Sequence, residues 1–134
     1  DEGKILKLWE GIGYYRRAKN LHKTSKILIK KYKGQIPKNF AELKELPGVG
    51  DYTANILLAL IYNQPRIELD GNVKRVLFRL FNMNTGKIIN LFKTKRNGDL
   101  AEALMEFGSL MCKPQDPRCH ECKLKKMCKY FALE

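Results

Sequence analysis

Four cysteines within seventeen residues constrain this chain more than anything else in it. Cys112, Cys119, Cys122 and Cys128 lie in the segment CKPQDPRCHECKLKKMC, with the spacing C-x6-C-x2-C-x5-C. Thiols this close in sequence can wrap around one centre, which suggests a metal ion or a cluster. Disulfides are the competing explanation. They are disfavoured because the sequence opens without a secretory pattern and has no cysteine elsewhere. A four-cysteine zinc site usually pairs two short knuckles, and only Cys119-x-x-Cys122 is one here. The spacing alone therefore leaves zinc and an iron–sulfur cluster both open. His120, between two ligands, reads as a loop residue, because four thiolates already complete a site.

The remainder is strongly basic. Lys and Arg total 26 against 14 acids, a net charge of +12 in 134 residues. Such a surface favours an anionic partner, with nucleic acid ahead of membrane. No apolar run approaches the roughly 18–20 residues of a membrane span. Length and a hydrophobic fraction of 44% fit one globular domain or two small lobes. The chain begins at Asp1 and not at methionine, so a fragment is expected.

Hydrophobic periodicity is helical throughout. Residues 15–32 place Ala18, Leu21, Leu28, Ile29 and Tyr32 on one face and Arg17, Lys19, Lys23, Lys26 and Lys30 opposite. A short helix over 39–45 points Phe40 and Leu43 inward. Residues 51–62 are almost entirely apolar, which predicts a helix at the centre of the domain. Residues 71–81 and 97–111 repeat the pattern, the latter with Leu100, Leu104, Phe107 and Met111, and a last short helix is expected over 123–131. No convincing alternation marks a strand. The class is all-α, with a flexible connection near Asn82–Gly86.

Two loops carry candidate chemistry. In Leu46-Pro47-Gly48-Val49-Gly50, proline ends one helix and the glycines allow a tight turn. The amides that follow open a helix, where unpaired N–H groups and the dipole attract phosphate. Between two helices in a basic chain, this reads as a helix-hairpin-helix that grips a DNA backbone without reading sequence. Asp70, in Leu69-Asp70-Gly71-Asn72-Val73, directly precedes a helix. Asp is a favoured N-cap, and capping alone would account for it. A carboxylate held there could also stabilise a cationic sugar transition state, with Asn72 orienting it.

Together these features resemble the endonuclease III superfamily of helix-hairpin-helix glycosylases, and within it the adenine DNA glycosylases of MutY type. The resemblance rests on LWEGIGYYRRAKNL (8–21), LPGVGDYT (46–53), LDGNVKRV (69–76) and the cysteine spacing. It implies a partial six-helix barrel lobe with an iron–sulfur lobe, divided here as residues 1–108, with the hairpin at 46–50, and 109–134. It implies a 4Fe–4S cluster on the cysteines that orders a basic loop (Lys113, Arg118, Lys123, Lys125, Lys126) against DNA and takes no part in hydrolysis. Asp70 matches the carboxylate that stabilises the oxocarbenium-like sugar. Tyr14 matches an aromatic wedge inserted into the base stack; of Tyr14 and its neighbour Tyr15, one is expected in the core. Tyr52 stands where relatives that also nick the strand carry a Schiff-base lysine, which implies hydrolysis alone. Gly48, Val49, Gly50 and the adjoining amides match the phosphate grip.

The family's glutamate that protonates adenine lies on a helix expected before Asp1. A domain that helps recognise oxidised guanine is expected beyond Glu134. The resulting expectation is a monomeric, monofunctional base-excision glycosylase acting on duplex DNA with adenine opposite oxidised guanine or guanine. Its place would be cytoplasmic and nucleoid-associated in a bacterium, or nuclear or mitochondrial in a eukaryote, with no membrane partner. The alternatives are a thymine-mismatch or oxidised-pyrimidine glycosylase of the same fold, or a non-catalytic DNA-binding module.

Overall fold

The structure, a computed structural model, describes residues 1–82 and 94–133. Among the described residues there are six α-helices: α1 (Glu2–Leu8), α2 (Tyr15–Tyr32), α3 (Phe40–Lys44), α4 (Asp51–Tyr62), α5 (Gly71–Phe81) and α6 (Asn97–Leu110). They contain no strand, and the class is all-α as expected. None of the described helices is long and apolar enough to cross a membrane. Apart from Asn82, the connection expected near Asn82–Gly86 lies outside the described residues. The chain divides into two compact units, Asp1–Ala54 and Asn55–Glu134; the division expected after residue 108 falls inside the second.

In the first unit, α1 packs on α2. The sequence reading missed α1, although Asp1 is a good cap: its Oδ1 accepts the Gly3 N–H at 3.0 Å. α2 spans the expected residues but covers only part of the expected face. Ala18 and His22 are buried, whereas Leu21 and Ile29 stay 59% and 71% exposed. Periodicity gives the pitch of an apolar face but not which part of it meets a neighbour. The α2 side chains Asn20 and Thr24 meet the hairpin: Thr24 Oγ1 donates to the Pro47 carbonyl at 3.0 Å. α3 is capped by Asn39, whose Oδ1 accepts the Ala41 N–H at 2.8 Å. Its Leu43 is buried, as are Leu46 and Ala54.

The second unit is built on α5 and α6, which pack together. Ile67, Val73 and Leu77 form the buried centre, with Leu69, Phe81, Leu100, Leu104 and Met105 against it. Leu58 and Ala59 of α4 are buried, but Leu60 and Ile61 are not, so the apolar run is half-covered and not central as expected. Gly108 of α6 sits so close to α5 that a Cβ there would lie 2.7 Å from the Asn72 Cβ. The helix expected over 123–131 is replaced by two 3-10 turns, Lys125–Met127 and Phe131–Leu133. The ladder is broken at Cys128, which is extended (φ −80°, ψ 118°). The next two amides leave the helical pattern as well: Lys129 N–H donates to Leu80 O (3.0 Å) and Tyr130 N–H to Arg79 O (2.9 Å).

Candidate functional site

The hairpin in the first unit turns at Gly48, whose φ of 82° is left-handed and favours glycine. Gly48 also lies against α2: a Cβ would fall 2.8 Å from Asn20 Nδ2. Gly50 has an ordinary φ, and nothing lies within 4 Å of where its Cβ would be. Glycine is thus not demanded there by conformation; it leaves space open in front of the α4 N-terminus. The Val49 N–H donates to Leu46 O at 3.1 Å. The amides of Gly50, Asp51 and Thr53, by contrast, have no acceptor among the described residues. The Asp51 carboxylate would repel an anion at this helix start, but Lys44 pairs with it.

Tyr14 is held by its backbone. Trp9 Nε1 donates to Gly13 O at 2.8 Å, and Tyr14 follows in the left-handed region (φ 49°, ψ 46°) at the start of α2. Its side chain is 81% exposed and Tyr15 is 46% exposed. Neither is in the core, although one was expected there. A non-glycine residue in this backbone region is strained, and such strain gathers at sites of contact. Tyr52 lies in the first turn of α4 with its side chain exposed.

In the second unit, Asp70 is half-buried and caps α5: Oδ1 accepts the Val73 N–H at 2.7 Å. Oδ2 makes no hydrogen bond or ion pair within the described chain. One oxygen is thus fixed by the helix and the other is available to a cation. Asn72 does not orient Asp70 by a hydrogen bond. Its Oδ1 instead accepts from Arg75 Nη2 at 2.7 Å, and the same guanidinium donates to Gly108 O (2.7 Å) and Cys112 O (2.8 Å).

The four cysteines are half-buried, none is in a disulfide, and all four line one small cavity. No three His, Cys, Asp or Glu side chains among the described residues gather as a single ion would require. Two sulfurs accept from nitrogen donors: Cys122 Sγ from Leu124 N–H (3.4 Å) and Cys112 Sγ from Arg79 Nη1 (3.6 Å). His120 packs edge-on to Phe131, ring centres 5.6 Å apart. In the basic loop, Arg118 pairs with Glu121 and Lys125 donates to His120 O (2.8 Å). The hydrogen bond from Arg118 lowers the Glu121 pKa below its ordinary value.

The family model for HhH-GPD superfamily base excision DNA repair proteins matches residues 1–97. This chain belongs to that superfamily. It is 41% identical to an adenine DNA glycosylase of Buchnera aphidicola subsp. Baizongia pistaciae, over 95% of this chain and 39% of that protein. The chain therefore spans about two fifths of that relative's length. Among solved structures it is similar to a trapped endonuclease III–DNA covalent intermediate, an estranged-adenine complex (TM-score 0.77, 30% identity, 99% of this chain and 67% of that one). It is also similar to a thermostable thymine-DNA glycosylase (TM-score 0.78, 29% identity, 100% and 67%).

Two further residues of this HhH-GPD chain matter and were not singled out from sequence. Arg75 ties α5 to the end of α6, as above. Arg79 grips both ends of the cysteine loop. Its guanidinium donates to Lys113 O (2.6 Å) and Pro114 O (3.1 Å) and lies 4.6 Å from the Tyr130 ring centre. Its carbonyl accepts from Cys128 Sγ at 3.4 Å. The only sequence signal was the inward-facing side of α5 carrying two arginines, which periodicity treats as surface.

Proposed function

We propose that this chain carries the DNA grip and the sugar-stabilising carboxylate of a DNA glycosylase that hydrolyses the N-glycosidic bond of adenine mispaired with oxidised guanine or guanine. The observation that carries this reading is Asp70. One of its oxygens is locked to the α5 N-terminus and the other has no partner among the described residues, in a chain of the base-excision superfamily. A fixed negative charge opposes the positive charge that develops on the sugar as the bond to the base breaks. The open amides of Gly50, Asp51 and Thr53 bind a backbone phosphate, and the exposed Tyr14 ring fills the gap left by the flipped base. Tyr52 cannot form a Schiff base, so the strand stays intact. The 41% identity to an adenine DNA glycosylase supports adenine as the base removed. The protein works as a monomer wherever the genome is held.

The four cysteines hold a 4Fe–4S cluster in this reading. Four thiols lining one cavity, two of their sulfurs accepting N–H donors, fit a centre held by four thiolates, and the family match favours a 4Fe–4S cluster. The cluster supplies a rigid frame for the loop bearing Lys113, Lys123 and Lys126.

The test is single-turnover release of adenine from a duplex with adenine opposite oxidised guanine, followed by alkali to reveal abasic sites, with the full-length gene product. Asp70→Asn keeps the cap but loses the charge, and excision should fall about 10²–10³-fold, about 2.7–4 kcal/mol. Mismatch binding should be largely retained. Near wild-type release by Asp70→Asn would reduce Asp70 to a cap. Strand cleavage without alkali would contradict the monofunctional assignment.

A further inference from the structure

We propose that α2 carries a second phosphate track: a stripe formed by Arg16, Lys23, Lys26 and Lys30, with Lys19 beside them, lies along the backbone of the duplex that the hairpin holds. The inference rests on the DNA-binding reading above and adds a surface to it.

α2 contains seven Lys and Arg and no acid. Two of them are engaged: Lys19 with Glu2 at 3.6 Å and Lys31 with Glu45 at 2.8 Å. Arg16, Lys23, Lys26 and Lys30 are exposed and form no salt bridge among the described residues. Their spacing, i, i+7, i+10, i+14, puts them on one helical face. At about 1.5 Å per residue they run along about 21 Å of helix, the axial length of about six base pairs.

The fold gains nothing from this arrangement. Like charges three and four apart repel along a helix. The first turn of α2 holds Arg16 and Arg17, no acid and no side-chain cap, the reverse of what the helix dipole favours. A polyanion relieves both penalties. The stripe is also placed to meet the same partner as the hairpin. α2 touches the hairpin through Thr24, which donates to Pro47 O, and through Asn20, which lies against Gly48. On a helix of about 3.6 residues per turn, Arg16, Lys23 and Lys30 project within about a quarter turn of Asn20. Arg16, Lys23 and Lys30 thus flank the hairpin contact and Lys26 lies about a third of a turn from Asn20, all in the same compact unit.

The experiment measures duplex affinity against salt concentration for the full-length protein and for the triple variant Lys23→Gln/Lys26→Gln/Lys30→Gln. Glutamine has a similar helix propensity, and circular dichroism checks that the helix persists. Three lost phosphate contacts should make the slope of log K against log salt shallower by about 2.7. The loss should be equal on mismatched and fully paired duplexes. Should the triple variant fail to fold, the three single variants replace it, each expected to change the slope by about 0.9. An unchanged slope, with wild-type binding still steeply salt-dependent and still weakened by Gly50→Val, overturns the track and leaves the glycosylase reading intact. Wild-type binding that is insensitive to salt overturns the DNA-binding reading itself. Vesicles containing phosphatidylserine are the rival partner. Vesicle binding lost in the triple variant, with its DNA slope unchanged, assigns the stripe to a membrane surface and overturns the proposal.

Discussion

Gly108→Ala sets two effects of similar size against each other. In the middle of an exposed helix, replacing Gly by Ala stabilises by about 0.5–1 kcal/mol, because Ala restricts the unfolded chain. At position 108 the new methyl would sit 2.7 Å from the Asn72 Cβ and 3.2 Å from the Asn72 carbonyl carbon. Ordinary carbon contacts are about 3.5–4.0 Å, so α5 and α6 must separate by nearly 1 Å at this point. Asn72 cannot swing away, because the conflict is with its Cβ and backbone. Separation also stretches the 2.7 Å bond from Arg75 of α5 to Gly108 O of α6. Overpacking of this kind costs about 1–3 kcal/mol, and each weakened hydrogen bond adds about 0.5–1.5 kcal/mol. The clash wins, and the melting temperature should fall by several degrees at about 4–8 °C per kcal/mol for a small unit. Asn72 follows Asp70 by two residues, so adenine release should fall as well, without any change to Asp70 itself. Gly71→Ala is the control, since nothing lies within 4 Å of its Cβ position; it should be neutral or mildly stabilising. Thermal unfolding followed by circular dichroism reads both variants. A Gly108→Ala protein as stable as wild type would mean that the two helices do not approach this closely.

Arg79→Leu removes the donor to Lys113 O and Pro114 O and the stack on Tyr130. One charge-assisted bond, about 1.5–3 kcal/mol, corresponds to about a ten- to hundredfold rise in the open loop. Iron should therefore be lost to a chelator at least about tenfold faster, followed by visible absorbance; an unchanged rate would show that Arg79 does not hold the loop. Burial, and then Lys26, lowers the His22 pKa below its usual 6.5. The unfolded chain then binds a proton that the folded chain refuses, so stability is full above about pH 6.5 and declines as the pH falls through the folded value. Urea unfolding between pH 5 and 7 should show this decline and lose it in His22→Gln; the same pH slope in both proteins would refute it.

The helices of this chain were legible because their signals are local. The limits of α2, α3 and α5 follow from apolar spacing, Pro47 beyond α3 and the Asp70 cap of α5. What the sequence hid depends on partners far along the chain. Asn72 reads as a companion of Asp70 because they are two residues apart, yet its oxygen is taken by Arg75, which also holds carbonyls 33 and 37 residues away. The C-terminal helix failed for the same reason: the Lys129 and Tyr130 amides bond to the end of α5. Leu21 and Ile29 were misplaced because spacing cannot show which flank of an apolar face is covered. The cysteines could be grouped from spacing, but not their common cavity wall, to which Val76, Arg79 and Leu80 of α5 contribute.

Tyr14 stands at a place where selection for a sturdier fold and selection for a working protein diverge. Its ring is exposed and its hydroxyl makes no hydrogen bond in the described chain, so the fold gains little from the side chain. Its left-handed backbone, meanwhile, is one that glycine or asparagine adopts at less cost. Any optimisation guided by stability alone would discard the tyrosine and improve the score by doing so. Persistence of an aromatic residue at this position across descendants of this chain would therefore record a demand other than folding, as the proposed contact with a duplex would impose.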